Sequence, residues 1–405
     1  MTQPPSKSDR SPGGAPDVSR LPPPGAGAAE HSARVLEHIR AAIDAAGGAI
    51  SFGRFMELAL YAPGLGYYSA GARKLGAAGD FVTAPEISPL FGRCLARQCA
   101  QVLAETGGDV LEFGAGSGAL AADVLGELAR LDALPARYAI VELSGELRER
   151  QRRALERRVP ELAGRAEWLE RLPERLTGVV LANEVLDAMP VERFRLRGGR
   201  VEQQQVVWDG DRLAARFVPA ELAVAERVRA LQAGRGRAFE DGYVSEVSLA
   251  HGPWVGAVAD MLERGAVLLI DYGYPRGEYY HDQRRMGTLM CHYRHRAHPD
   301  PLILVGLQDI TAHVDFTAVA EAAVGAGLTV AGFTTQAHFL IGCELEALAG
   351  ESDPAEVSRH LDLARQVKTL TLPGEMGERF KVLGLARGLD LALMGFAVRD
   401  LRERL

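Results

Sequence analysis

The chain has 405 residues, 47% hydrophobic and 24% charged, the composition of a globular protein with one large core or two modest ones. Its formal net charge of -7 gives no electrostatic footprint for nucleic acid, and no apolar run approaches the roughly 18 residues that cross a bilayer, so neither nucleic-acid binding nor membrane insertion is expected. Cys94, Cys99, Cys291 and Cys343 form no C-x-x-C pair and read as reduced thiols of a cytosolic compartment.

Residues 1–30, rich in Pro, Gly, Ser and Ala, have almost nothing to bury and read as a disordered leader. The leader lacks the apolar stretch of a secretory signal, and Asp9 and Asp17 are unlike an acid-poor transit peptide, so a cytoplasmic location is expected. Residues 31–108 read as a helical and lid segment: apolar residues at helical spacing run from Val35 to Ile43 and from Phe52 to Leu60, then give way to the turn-rich YAPGLGYYSAG. A domain over 109–395 follows. Its strand 110–113, helix 117–130, strand 138–142, helix 145–158 and strands 165–169 and 178–182 alternate as βαβα, which predicts a mostly parallel sheet covered on both faces. Within an insertion at about 190–250, residues 193–217 carry reversals at Gly198–Gly199 and Asp209–Gly210 and predict an antiparallel β ribbon. The parallel pattern resumes with a helix at 250–263 and the strand AVLLIDYG, and late strands near 328–333 and 380–384 complete the sheet.

The stretch VLEFGAGSGAL places Gly114, Gly116 and Gly118 at a strand-to-helix turn, where glycine lets the backbone approach a ligand closely. Dinucleotide sites space their glycines as G-x-G-x-x-G, whereas here the spacing is G-x-G-x-G, two residues after Glu112. A carboxylate at that point repels a pyrophosphate and suits the cationic amino group of a methionine moiety, which favours S-adenosylmethionine over NAD. Glu142, at the end of the next strand, can accept from both ribose hydroxyls of an adenosyl group.

The strand before ANEVLDAMP ends in Asn183 and Glu184, with Asp187 three residues on and expected on one helical face. Two carboxylates can grip a guanidinium and hold it for in-line attack on a methyl group; the alternative is a pair of solvated or capping charges. GDFVTAPE is either a turn in which Pro85 starts a helix or a lid contributing Thr83 and Glu86. CHYRHRAH gathers Cys291, His292, His295 and His298, but lacks the second opposed pair that zinc needs, so no metal is expected, and these side chains, with Tyr293, Asp309 and His313, read as lining a substrate rim or satisfying one another. The charges of LRERQRRALERR alternate with Leu147 and Leu155 and read as a solvated helix face.

FMELALYAPGLGYYS, GDFVTAPEISPLFG, LEFGAGSGAL, ANEVLDAMPVERF, LLIDYGYP, QDITAHVDFTAV and GERFKVL together resemble the MidA family of S-adenosylmethionine-dependent methyltransferases, over roughly residues 35 to 385. The resemblance implies an α/β fold: a class I methyltransferase Rossmann-like sheet with an N-terminal helical segment and an inserted antiparallel ribbon. It implies S-adenosylmethionine as cofactor, bound by Glu112, Gly114, Gly116, Gly118, Glu142, Asp80, Thr83 and Glu86, with Asn183, Glu184 and Asp187 as catalytic residues. It also implies a protein arginine as substrate, on a subunit of a respiratory complex as for the family's mitochondrial members. Val305-Gly306 stands where the family often has Pro-Gly, so that loop is expected to turn differently. A scaffold that keeps the fold without chemistry, or a small-molecule methyltransferase, are the alternatives that the sequence leaves open.

Overall fold

The computed structural model describes residues 21–70, 83–353 and 355–405. Helix α1 (Ala26–Ala45) starts inside the stretch expected to be leader, because Val35, Ile39 and Ile43 give it an apolar face, and all three are buried. Strand β1 (Ala49–Ser51) leads into α2 (Phe52–Tyr61), whose first turn is capped by the Ser51 hydroxyl accepting from the Arg54 N–H at 3.1 Å. Two further helices precede the glycine strand: α3 (Ala84–Ile87), at the place where a helix started by Pro85 was one of the readings, and α4 (Pro89–Thr106), which was not expected. Ser88 and Pro89 start α4 by capping it and pre-setting its first φ.

The alternating segment folds as β2 (Asp109–Phe113), α5 (Ala119–Arg130), β3 (Tyr138–Val141), α6 (Gly145–Arg158), β4 (Ala166–Leu169) and β5 (Leu176–Asn183). Then come β6 (Val191–Arg197), β7 (Arg200–Asp209), β8 (Arg212–Pro219), α7 (Leu222–Arg235) and β9 (Val244–Ser248). The chain returns through α8 (His251–Met261), β10 (Leu262–Tyr274), α9 (Arg276–Tyr279), β11 (Met290–Tyr293), β12 (Arg296–His298), β13 (Asp309–Thr311) and β14 (Val314–Asp315). It closes with α10 (Phe316–Gly325), β15 (Thr329–Thr335), α11 (Gln336–Gly342), α12 (Leu345–Gly350), α13 (Val357–Thr371) and β16 (Phe380–Arg387).

The main sheet runs β15-β16-β10-β5-β2-β3-β4, with β14 added beside β10. β4, β3, β2, β5 and β10 are parallel, and β16 is antiparallel to both of its neighbours. Strand residues alternate between two cores: Val179 and Leu181 face α4 and α5, and Val180 and Ala182 face α8 and α10. Burial on both faces explains why these strands read as continuous apolar runs, and each fully buried Val or Leu is worth about 1.5–3 kcal/mol.

The expected ribbon is β6, β7 and β8, with its turns at Gly198–Gly199 and Gly210, but it belongs to a larger antiparallel sheet, β1-β7-β6-β9 with β8 beside β7. One face, with Val206 and Leu213, packs on α1 and α2; the other, with Phe194 and Leu196, packs on α7. The N-terminal helices α1 and α2 are thereby fixed on this antiparallel sheet. The loop at Val305-Gly306 is docked on α1, where the Ser32 hydroxyl donates to the Val305 carbonyl at 2.9 Å.

Candidate active site

Strand order reverses between β2 and β5: the chain leaves β2 for β3 on one side and reaches β5 on the other. Such a switch point opens a crevice at the carboxyl ends of the strands. A cleft of about 560 Å³ lies there, lined from the ends of β2, β3 and β5, from the glycine turn and from the N-terminal helices. Its size suits a small-molecule ligand.

Gly114, Gly116 and Gly118 all have left-handed φ, at 60°, 53° and 84°. Gly118 caps α5, and a Cβ there would stand 3.0 Å from Gln151 Cα, so glycine lets α5 start hard against α6. Glu112 is buried, and its Oε2 accepts from the Tyr138 hydroxyl at 2.7 Å. Burial pushes its carboxyl up to about 7, against the lowering effect of that hydrogen bond. Glu142 accepts from the Ser144 N–H at 2.9 Å and from Gln151 Nε2 at 3.1 Å, and burial raises its carboxyl too.

Sequence reasoning missed Gln151. It is fully buried, donates to the Gly116 carbonyl at 3.1 Å as well as to Glu142, and accepts from Trp168 Nε1 at 2.8 Å. One amide thus ties the glycine turn to Glu142. The charges of α6 form the expected solvated face, with Arg152, Arg153, Glu156 and Arg157 exposed, while Gln151, Ala154 and Leu155 are buried on the opposite stripe. The signal was the spacing Leu147, Gln151, Leu155, which puts the glutamine on the apolar stripe.

Thr83 and Glu86 line the cleft, and the Ser117 hydroxyl of the glycine turn donates to Glu86 Oε1. Pro85 lies in the first turn of α3, which contributes to the cleft wall, while Gly79 to Val82 of the same stretch lie outside the described residues. Asp80 lies outside the described residues.

At the end of β5 the expected helical face does not form. Glu184 takes a left-handed φ of 53°, and its N–H donates to the Ile270 carbonyl at 2.8 Å, which turns the chain sharply instead. Asn183 and Glu184 line the cleft, with Asn183 Nδ2 donating to Glu184 Oε1 at 3.3 Å. Asp187 is buried and is not among the cleft-lining residues; its Oδ2 accepts from the Tyr272 hydroxyl, and its Oδ1 and Asn183 Oδ1 are buried without hydrogen-bond partners among the described residues. The turn is held from beneath by Asp271, whose Oδ2 accepts from the Leu186 and Asp187 N–H groups at 3.0 and 3.2 Å. Burial, reinforced by the charge of Asp187, pushes Glu184 up to about 8, while the Ala84 N–H of α3 partly offsets this. Burial also raises Asp187 and Asp271.

Among the described residues lining the cleft are four carboxyls, Glu86, Glu112, Glu142 and Glu184, and no Lys, Arg or His. The Cys291, His292, His295 and His298 stretch forms the β11–β12 hairpin, with Cys291 and His298 buried and His295 exposed at its turn. Among the described residues, no group of three or more His, Cys, Asp or Glu side chains is placed to hold a metal ion.

Residues 94–334, more than half of the chain, match the family described as "Putative S-adenosyl-L-methionine-dependent methyltransferase". The chain belongs to the MidA family of S-adenosylmethionine-dependent methyltransferases. A protein from Burkholderia thailandensis, crystallised with S-adenosyl-homocysteine, is similar at 47% identity and a TM-score of 0.91 over 95% of this chain and 100% of its own. Curated relatives include the mitochondrial protein arginine methyltransferase NDUFAF7 of Danio rerio, 29% identical over 88% of each chain. That of Mus musculus is 30% identical over 84% of this chain and 81% of its own. S-adenosylmethionine is the cofactor of this MidA methyltransferase. The cytoplasmic location expected from the leader does not stand, because these relatives are named mitochondrial.

Gln151→Ala should weaken S-adenosyl-homocysteine binding by about 1–3 kcal/mol, the size of losing hydrogen bonds to a buried charged acceptor. Calorimetry checks it; a variant that melts earlier but binds equally well would make Gln151 a core residue only.

Proposed function

We propose that this MidA methyltransferase transfers methyl groups from S-adenosylmethionine to arginine on a protein substrate. The observation that carries the reading is a cleft whose described lining holds four carboxyls and no cationic side chain. A site built for a phosphate-rich or anionic acceptor would need the opposite sign. Two cations, a sulfonium and a guanidinium, suit this one. The arginine methyltransferases among the relatives point the same way, and the family resemblance points to a subunit of a respiratory complex as the substrate protein.

In this reading Gly114, Gly116 and Gly118 let the backbone approach the cofactor, Glu142 takes its ribose hydroxyls, and Glu112 takes its amino group. Thr83 and Glu86 close over it from α3. Bound S-adenosylmethionine supplies a methyl group activated by its sulfonium. Glu184 is the carboxylate that meets the guanidinium: it localises positive charge on the nitrogens it bonds, leaves the attacking nitrogen richer in electrons, and receives the proton that nitrogen releases. Asn183 orients Glu184. Asp187, first read as a second grip, acts here as a positioning residue through Tyr272 and through the field it places on Glu184.

Incubating the purified protein with methyl-labelled S-adenosylmethionine and extract from cells that lack it, followed by acid hydrolysis, tests the reading. Label is expected in methylated arginine; label only in methyllysine or in a small molecule would overturn it.

The pH dependence follows from Glu184. With its carboxyl raised to about 8, the free protein holds a proton there at neutral pH, and a cationic acceptor must displace it. Acceptor KM should therefore fall as pH rises from 6 toward 8, by up to about tenfold per unit, and level off above. Glu184→Gln should flatten that profile and cost about 100-fold or more in kcat. An unchanged profile in that variant would remove Glu184 from the chemistry.

A further inference from the structure

Two tyrosines of the N-terminal segment, which the roles above leave unused, form part of the cleft. Tyr61 and Tyr68 both line it together with Asn183 and Glu184. Their rings stack at 5.5 Å with 23° between planes, and Tyr67 braces Tyr68 edge-on at 5.1 Å. Both hydroxyls are committed as donors, Tyr61 to the Ala188 carbonyl at 2.9 Å and Tyr68 to Asp309 Oδ1 at 2.9 Å. With the hydroxyls tied down, the pair is a fixed aromatic wall. The Tyr61 hydroxyl bonds to Ala188, on the turn that follows Glu184, which puts the wall at the Glu184 end of the cleft.

We propose that the Tyr61–Tyr68 wall is the acceptor-specificity element, an aromatic surface against which the planar guanidinium lies while Glu184 takes its N–H groups. This deepens the arginine reading and rests on it. A guanidinium is planar, delocalised and weakly hydrated, so it gives up little on leaving water to stack on a ring, whereas an ammonium is a compact, strongly hydrated point charge. An aromatic wall beside a carboxylate therefore favours arginine over lysine, which the carboxylate alone would not. The Asp309 bond anchors the far end of the Tyr68 ring, while the stacked Tyr61 and the edge-on Tyr67 hold its plane.

The test uses the full chain saturated with S-adenosyl-homocysteine and titrated with ethylguanidine and, separately, butylamine, followed by NMR. The wild type should bind ethylguanidine more tightly than butylamine. Tyr68→Leu should weaken ethylguanidine binding by roughly 3- to 30-fold and remove that preference, with S-adenosyl-homocysteine affinity unchanged as the check on folding. Tyr68→Phe, which keeps the ring, should retain most of the preference. Tyr61→Leu provides the same readout if Tyr68→Leu does not fold. Ethylguanidine binding that survives both leucine variants, or a wild type that takes butylamine equally well, would overturn the wall while leaving arginine methylation standing if label enters arginine. A wild type that binds neither probe, with no label in arginine, would overturn both.

Discussion

Carboxyl groups in a cleft without basic side chains are held there at a cost, because removing a charge from water is unfavourable unless a partner replaces the lost hydration. In this MidA methyltransferase that cost is visible as raised carboxyls, Glu112 to about 7 and Glu184 to about 8, with burial the largest cause in both. The groups sit at opposite roles of one cleft, Glu112 below the glycine turn and Glu184 at the end of β5. Each is poised to exchange a proton for a cation. In the proposed function, cofactor and acceptor supply the charge that the protein withholds, and binding energy comes from relieving an electrostatic burden built into the fold.

Such a site has to be rigid, since a carboxylate that could swing into solvent would escape the burden. The rigidity comes from buried polar side chains whose backbone partners lie in other elements. Asp271 of β10 accepts from the turn that carries Asp187, and Gln151 of α6 ties the glycine turn to Glu142. The left-handed φ of Glu184 is a local strain of about 1–3 kcal/mol for a non-glycine residue, offset by its N–H bond to β10. The N-terminal helices complete the cleft because β1 joins the antiparallel sheet and anchors α1 and α2 there.

The parallel sheet was legible because β2, β5 and β10 are buried on both faces, and the glycine turn because three left-handed positions demand glycine. Helix α4 was obscured by Gly92, Ala96 and Gln98, small or polar residues that are nonetheless buried and interrupt its apolar stripe. The turn at Glu184 was hidden since its geometry is set by a hydrogen bond to Ile270, far along the chain. The cleft residues Tyr61 and Tyr68 sat in a stretch that reads only as turn-rich, and it is the tertiary pairing of Tyr68 with Asp309 that places them. Local pattern reports periodicity and turns; it is silent on which distant strand holds a side chain.

The most direct measurement is the proton balance of cofactor binding, obtained by titrating S-adenosylmethionine at pH 7 in two buffers of different ionisation enthalpy. A carboxyl that titrates near 7 and meets a cation predicts release of about half a proton per site, abolished in Glu112→Gln. Binding to the wild type with no net proton release would contradict the account.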